Sequence, residues 1–172
     1  MTLLAGVCCV AMTWARDTEV SASYGAAPAM CHIASMHNHW DGMDNCWGTV
    51  NFTIDHRFLP HLWVGMGYTF STADSDTASE GRYGKVTWHG LMVNARYEWL
   101  NRPKMRLYSH VGVGALVAYY SPSWEDSYNS NRFAFQVMPI GIEADICRNV
   151  GVFAELGYGI QGVGKAGIRV GF

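Results

Sequence analysis

The chain has 172 residues, a formal net charge of −2, 15 % charged residues, 13 % aromatic residues and 19 glycines. That length is one domain by default, few charges with many aromatics exclude a disordered chain, and a slightly acidic chain carries no electrostatic footprint for nucleic acid. No stretch beyond the N-terminus is long and apolar enough for a transmembrane helix, so the aromatics and glycines point to β-structure.

The first segment, "MTLLAGVCCVAMTWA", is apolar from Leu3 to Trp14, about the length of a signal-peptide core. Thr13-Trp14-Ala15 reads as a small-x-small cleavage site, so 1–15 is expected to be a signal peptide and 16–172 a single domain. No positive n-region precedes the core, as in a signal peptide with a truncated start. Export implies an oxidising compartment.

From residue 18 onward, apolar and polar residues alternate in segment after segment, the period of a half-buried strand. Val20, Ala22 and Tyr24 share a face, as do Val50, Phe52 and Ile54, and then Leu62, Val64, Met66, Tyr68 and Phe70. Leu91, Val93, Ala95, Tyr97 and Trp99 alternate with Met92, Asn94, Arg96 and Glu98. Leu107, Val111, Val113, Ala115, Val117 and Tyr119 oppose Arg106, Tyr108, His110, Gly112 and Gly114. Met138, Ile140, Ile142, Ala144 and Ile146 oppose Gly141, Glu143 and Asp145, and Val152, Ala154, Leu156 and Tyr158 oppose Phe153, Glu155, Gly157 and Gly159. Finally Ala166, Ile168, Val170 and Phe172 oppose Lys165, Gly167, Arg169 and Gly171. Eight strands are expected, over 18–26, 47–57, 61–72, 84–100, 105–120, 132–147, 149–160 and 163–172. Phe133 and Phe135 have the wrong parity for their strand, which a bulge near Pro139 would correct.

The connections 57–61, 101–104 and 147–149 are tight, as is the last one near Gln161-Gly162, whereas 27–46, 73–83 and 121–131 are longer and polar. Short turns at one end and long loops at the other describe an all-β, antiparallel up-and-down barrel of eight strands. Two barrels fit: a soluble lipocalin-like carrier of small ligands, with its apolar face inward, or a membrane barrel with that face outward. The opposite face holds many glycines with Arg96, Glu98, Arg106, Glu143, Asp145, Glu155, Lys165 and Arg169. Glycine gains nothing on a solvated strand face but makes room inside a crowded barrel, where charges of both signs can pair. Aromatics at both ends of the apolar stripe match interfacial girdles. These features favour the membrane barrel.

The closing "AGIRVGF", preceded by "FQVMPIGIEA" and "VFAELGYGIQG", resembles the small eight-stranded outer-membrane barrels of the OmpA/OmpX type, in the porin-like outer-membrane β-barrel family. The resemblance spans about 18–172. It implies a transmembrane protein of the Gram-negative outer membrane, with short periplasmic turns and longer extracellular loops. It also implies Phe172 as part of an assembly signal read by the outer-membrane insertion machinery. The expected surroundings are outer-membrane lipid, with the protein a monomer.

Function is thinner in the sequence. Between Cys31 and Cys46, His37, His39 and Asp41 would share a face of an extended segment, and imidazole with carboxylate suits Zn or Cu. No known motif spacing is met, so a solvated loop is the simpler reading and no metal or other cofactor is assigned. Cys31 and Cys46 could close the loop as a disulfide, while Cys147 sits alone at a short turn. For a barrel enzyme the outer rim offers His32, Ser35, Ser123 and Asp126, residues expected in any exposed loop, with no nucleophile-elbow motif. A non-enzymatic barrel is therefore expected, structural or surface-recognising, with at most a narrow pore because side chains fill eight-stranded barrels. An external protein or small-molecule ligand would meet loops 27–46 and 121–131; nucleic acid is not expected.

Overall fold

Alternating side chains on successive antiparallel hairpins leave one geometric outcome when both sheet edges meet: a closed wall with an inner and an outer face. In a computed structural model describing residues 17–31, 45–77, 82–122 and 126–172, that wall is built from β1 (Thr18–Ala26), β3 (Thr49–Leu59), β4 (Leu62–Thr77), β5 (Arg82–Arg102), β6 (Met105–Pro122), β7 (Tyr128–Asp145), β8 (Val150–Gly159) and β9 (Gly164–Gly171). A two-residue strand, β2 (Asn45–Cys46), is added on β4 through Asn45↔Asp74 and Cys46↔Ala73. Each barrel strand pairs antiparallel with its chain neighbours, and β1 closes the circle against β9 from Glu19↔Gly171 to Ala26↔Gly164. The result is an eight-stranded up-and-down barrel.

Three strands run further than their alternation suggests. β4 continues to Thr77, β5 begins at Arg82 and β7 begins at Tyr128. The extensions are polar on their outer face, as at Asp74 and Asn129, so the apolar stripe stops while backbone pairing continues. β2 falls inside 27–46, a segment expected to be a long polar connection.

The burial pattern is inverted relative to a soluble barrel. Val20, Phe52, Ile54, Leu91, Val93, Val111, Val113, Ile142, Leu156 and Ile168 are exposed, while Arg96, Glu98, Arg106, Glu143, Glu155, Lys165 and Arg169 are buried inside. An unbroken apolar belt around a charged interior is stable where hydrocarbon, not water, is the solvent. Phe58, Tyr97 and Trp99 mark one end of the belt. At the other, His89 packs against Tyr68, Phe70 and Tyr119, accepting from or donating to the Tyr68 hydroxyl at 2.7 Å.

The register of β7 shifts beside Pro139, between Tyr108 and His110 on β6 and between Val137 and Ile140 on the β8 side. The bulge keeps Phe133, Val137, Ile140 and Ile142 all outward. It also turns Met138 inward, fully buried, although simple alternation with Ile140 puts it on the outer face. Pro139 supplies no amide hydrogen, so a bulge is where the ladder loses least by its presence.

Candidate functional site: the layered barrel interior

The interior has three layers. The layer nearest the short turns is charged. Glu19 on β1 is its hub: Arg96 donates to one carboxylate oxygen, Arg106 Nη1 lies 2.7 Å from the other, and Arg169 Nε stands at 3.7 Å. Glu143 bridges Arg106 and Arg169. Glu98 lies 3.4 Å from Arg106 and 3.6 Å from Arg96, and Asp145 lies 3.5 Å from Arg106. Glu155 accepts from Lys165 Nζ at 2.8 Å and from the Tyr108 hydroxyl at 2.8 Å, with His110 Nδ1 at 3.1 Å. All eight charges placed inside by alternation therefore meet in one network.

Strand register explains part of this network directly. Arg106↔Glu143 and Glu155↔Lys165 are cross-strand partners, so their opposite charges sit side by side. The rest spans the lumen, as Arg96 on β5 reaches Glu19 on β1. The guanidinium groups also lie over rings: Arg96 over Trp63 at 4.7 Å, Arg169 over Phe153 at 4.5 Å and over Tyr108 at 5.3 Å. Aromatic faces attract cations and add packing that a bare ion pair lacks. Gly141 makes room for one of these rings, since a Cβ there would stand 2.4 Å from Tyr108 Cε2.

The middle layer is polar and uncharged, and it is organised by the turn after β8. That turn folds into the barrel. Ile160 and Gln161 are buried, and the backbone enters through Gly159 and leaves through Gly162, both with positive φ, at 147° and 108°. Gln161 N donates to Gln136 Oε1 at 2.7 Å, and its carbonyl accepts from Thr49 Oγ1 at 2.9 Å. Gln161 Oε1 accepts from Lys165 at 2.8 Å, and Gln136 Nε2 donates to the Gly162 carbonyl at 3.2 Å. Thr69, Asn51 and Thr49 continue the chain of hydrogen bonds around the wall. The turn is thus a plug held from three strands, β3, β7 and β9.

Above the plug the interior becomes apolar. Val86, Trp88 and Met92 of β5, Leu116, Ala118 and Tyr120 of β6, Ala134 of β7 and Ile160 cluster with Met30, and Cys31 and Cys46 pack on them. Cys31 and Cys46 are disulfide-bonded, Cα to Cα 6.3 Å, which ties the segment after β1 to the end of β2. Cys147 is an exposed free thiol at a short turn.

Several residues central to this interior are absent from the sequence reading. Glu19 and Asp55 alternate with the apolar stripes of β1 and β3, which is the signal that places them inside. Asp55 approaches Arg96 at 4.0 Å. The metal candidates His37, His39 and Asp41, the rim residues His32, Ser35 and Ser123, and segment 1–15 lie outside the described residues. Asp126 is exposed beside β7. Phe172 is half-exposed; its N–H donates to the Thr18 carbonyl at 2.8 Å and its carbonyl accepts from Asp17 N at 3.1 Å.

No family model matches the chain, and no curated protein matches it. Solved structures do. The N-terminal β-barrel domain of Pseudomonas aeruginosa OprF superposes with a TM-score of 0.54 at 12 % identity, over 91 % of this chain and 98 % of that one. The fold is that of the small outer-membrane barrels. Neisserial surface protein A gives 0.56 at 13 % identity, over 90 % and 96 %. Ail of Yersinia pestis, solved with the heparin analogue sucrose octasulfate, gives 0.51 at 13 % identity, over 90 % and 93 %. Together with the inverted burial, these likenesses identify the architecture as a membrane-spanning eight-stranded barrel.

Proposed function

We propose that the protein is a non-enzymatic integral outer-membrane barrel that presents its loops to the exterior and does not conduct. The observation that carries this reading is the filled lumen. A charged layer, a hydrogen-bonded plug and an apolar cap succeed one another along the barrel axis. Charges paired at this density hold the wall from inside rather than line an open path. Segment 1–15 serves as the export signal and Phe172 contributes to recognition by the assembly machinery.

The loops are acidic. Asp41, Asp44, Asp74, Asp76, Glu80, Glu125 and Asp126 fall within 27–46, 73–83 and 121–131, against Arg82 alone among lysines and arginines. A polyanion such as the one bound to Ail is disfavoured by that charge, and a cationic or neutral external partner suits it. Residues 27–46 form the longest loop and the richest in His and Met, so they carry most of the recognition surface.

The test is fractionation with electrophoresis and conductance. The protein should co-fractionate with outer membranes, migrate differently before and after heating, and leave a planar bilayer electrically silent. Recovery as a detergent-free soluble monomer would reject the membrane reading; steady conductance would reject the closed lumen.

A further inference from the structure

The barrel wall is uneven at its loop end. β6 and β7 stay paired up to Tyr120↔Tyr128. On the other side of β7, β8 ends at Gly159, opposite Gln136. Among the described strands none pairs with β7 over 128–135 on that side. The chain instead turns inward, with Ile160 N donating to the Phe135 carbonyl at 3.1 Å. A notch results, and a narrow cleft opens in it, lined by Trp88, Leu116, Arg132, Phe133, Phe135 and Ile160.

The lining of that cleft comes from both faces of the wall. Trp88, Leu116 and Ile160 line it from the barrel interior, while Phe133 and Phe135 belong to the outer face. Apolar surface therefore runs without interruption from the lipid side into the barrel. Arg132, the register partner of Leu116, stands on the cleft wall within hydrogen-bonding reach of the Tyr120 hydroxyl. Below it the plug turn closes the way to the charged layer.

We propose that this notch binds a single-chain anionic amphiphile, a fatty-acid carboxylate entering laterally from the surrounding bilayer, with its chain in the cleft and its carboxylate on Arg132. The inference rests on the membrane reading above. Three features select the occupant. The lining includes the outward, exposed Phe133 of the lipid-side face, so a ligand that reaches the cleft past it must be soluble in lipid. The lining is aliphatic and aromatic, which suits a hydrocarbon chain and not a polar solute. The cationic group on the wall is a planar guanidinium, which matches a carboxylate in two-point hydrogen bonding. A two-chain phospholipid would have to leave its second chain outside the notch.

The experiment uses the full chain in phosphatidylcholine nanodiscs, with insertion verified by heat-modifiable migration. Palmitic acid carrying a mid-chain diazirine is photolysed and its adducts are mapped by mass spectrometry. Saturable adducts are expected on Trp88, Leu116 or Ile160, displaced by excess palmitate and about tenfold less well by palmityl alcohol, the difference expected for one charge-assisted hydrogen-bonded pair. Leu116→Trp, which fills the cleft, should remove the interior adducts and keep those on outward Val113. Arg132→Gln should erase the preference for palmitate over the alcohol. Failure to insert would overturn this proposal together with the membrane reading. An inserted barrel labelled on outward residues alone would overturn this proposal and leave that reading intact. If Leu116→Trp does not insert, Arg132→Gln decides: an unchanged preference for palmitate overturns the proposal.

Discussion

Glu19 on β1 and Arg106 on β6 are 87 residues apart in the chain, yet Arg106 Nη1 lies 2.7 Å from Glu19 Oε1 across the barrel interior. Arg96 and Arg169 converge on the same carboxylate. One side chain thus offsets charge on three strands, β5, β6 and β9, that do not adjoin its own except at β9. Glu19→Gln leaves three buried guanidinium groups short of a counter-charge, and removing one partner of a buried pair costs about 3–5 kcal/mol. Urea unfolding in lipid vesicles should show a loss of that order. Asp126→Asn, on the exposed loop side, should stay within about 0.5 kcal/mol of the parent. Equal stability of both variants would remove Glu19 from the centre of the network.

Arg106 and Glu143 are direct cross-strand partners as well as an ion pair. Their interaction is therefore local, unlike that of Glu19, and a double-mutant cycle can isolate it. The cycle Arg106→Met with Glu143→Gln should give a coupling energy of about 0.5–3 kcal/mol, the range for contacting residues in one network. The cycle is complicated by Glu19 and Arg169, which each touch one member of the pair. Repeating it in Glu19→Gln should change the coupling, because Arg106 then has fewer alternatives. Strict additivity in both backgrounds would mean the pair acts through the field of the layer and not through contact.

The plug turn makes a sharper forecast, since two glycines face it with different neighbours. A Cβ on Gly25 would fall 1.8 Å from the Gln161 carbonyl oxygen, part of a backbone fixed by hydrogen bonds. A Cβ on Gly90 would fall 2.7 Å from Ile160 Cδ1, the far end of a flexible side chain. Overpacking of this kind costs about 1–3 kcal/mol, more where nothing can yield. Gly25→Ala should therefore be the more damaging substitution. Ile160→Ala should rescue Gly90→Ala and leave Gly25→Ala unrescued, as read by unfolding midpoints. The reverse pattern of rescue would place the turn outside the lumen.

These forecasts draw on parts of the protein that were legible in the sequence to different degrees. The strand count, the inward set of charges and the bulge at Pro139 follow from a period of two with one face apolar. Where that contrast fades, so does the reading. In "GALVAYY" both faces are apolar: Leu116, Ala118 and Tyr120 point in while Val117 and Tyr119 point out. The apolar cap therefore could not be separated from the lipid face. Nor does "GIQGVG" announce a turn folded inward, since any short hairpin connection accepts two glycines. Which charges pair across the lumen depends on which strands stand opposite, a property of closure that no single hairpin contains.

The disulfide joining Cys31 to Cys46 links residues 15 apart. Chain-entropy reasoning assigns about 3 kcal/mol to closing a loop of this size. Both cysteines pack on the apolar cap and not on the charged layer. Reduction should lower the thermal midpoint in detergent while leaving heat-modifiable migration and the β-sheet circular dichroism unchanged, because the strand ladders do not depend on it. Loss of the folded band on reduction would show that the cap holds the barrel together.

The orientation of the outer face yields the most direct test of what solvates it. Val113 lies midway along β6, exposed and outward, and Met105 lies on the same strand at its short-turn end. In a bilayer the cost of a cation on the lipid face depends on depth, about 2–4 kcal/mol at the midplane and about 0–1 kcal/mol near the interfaces. In water it would be small at both sites, since neither side chain is buried by protein. Val113→Arg should therefore destabilise the reconstituted barrel by at least about 2 kcal/mol more than Met105→Arg does in urea titrations from lipid vesicles. Transferring the same pair into water-soluble amphipols with a thinner apolar annulus should narrow the gap. Two arginines of equal and negligible cost in vesicles would mean that this face meets water, and that the inverted burial of charge inside the barrel has some other cause.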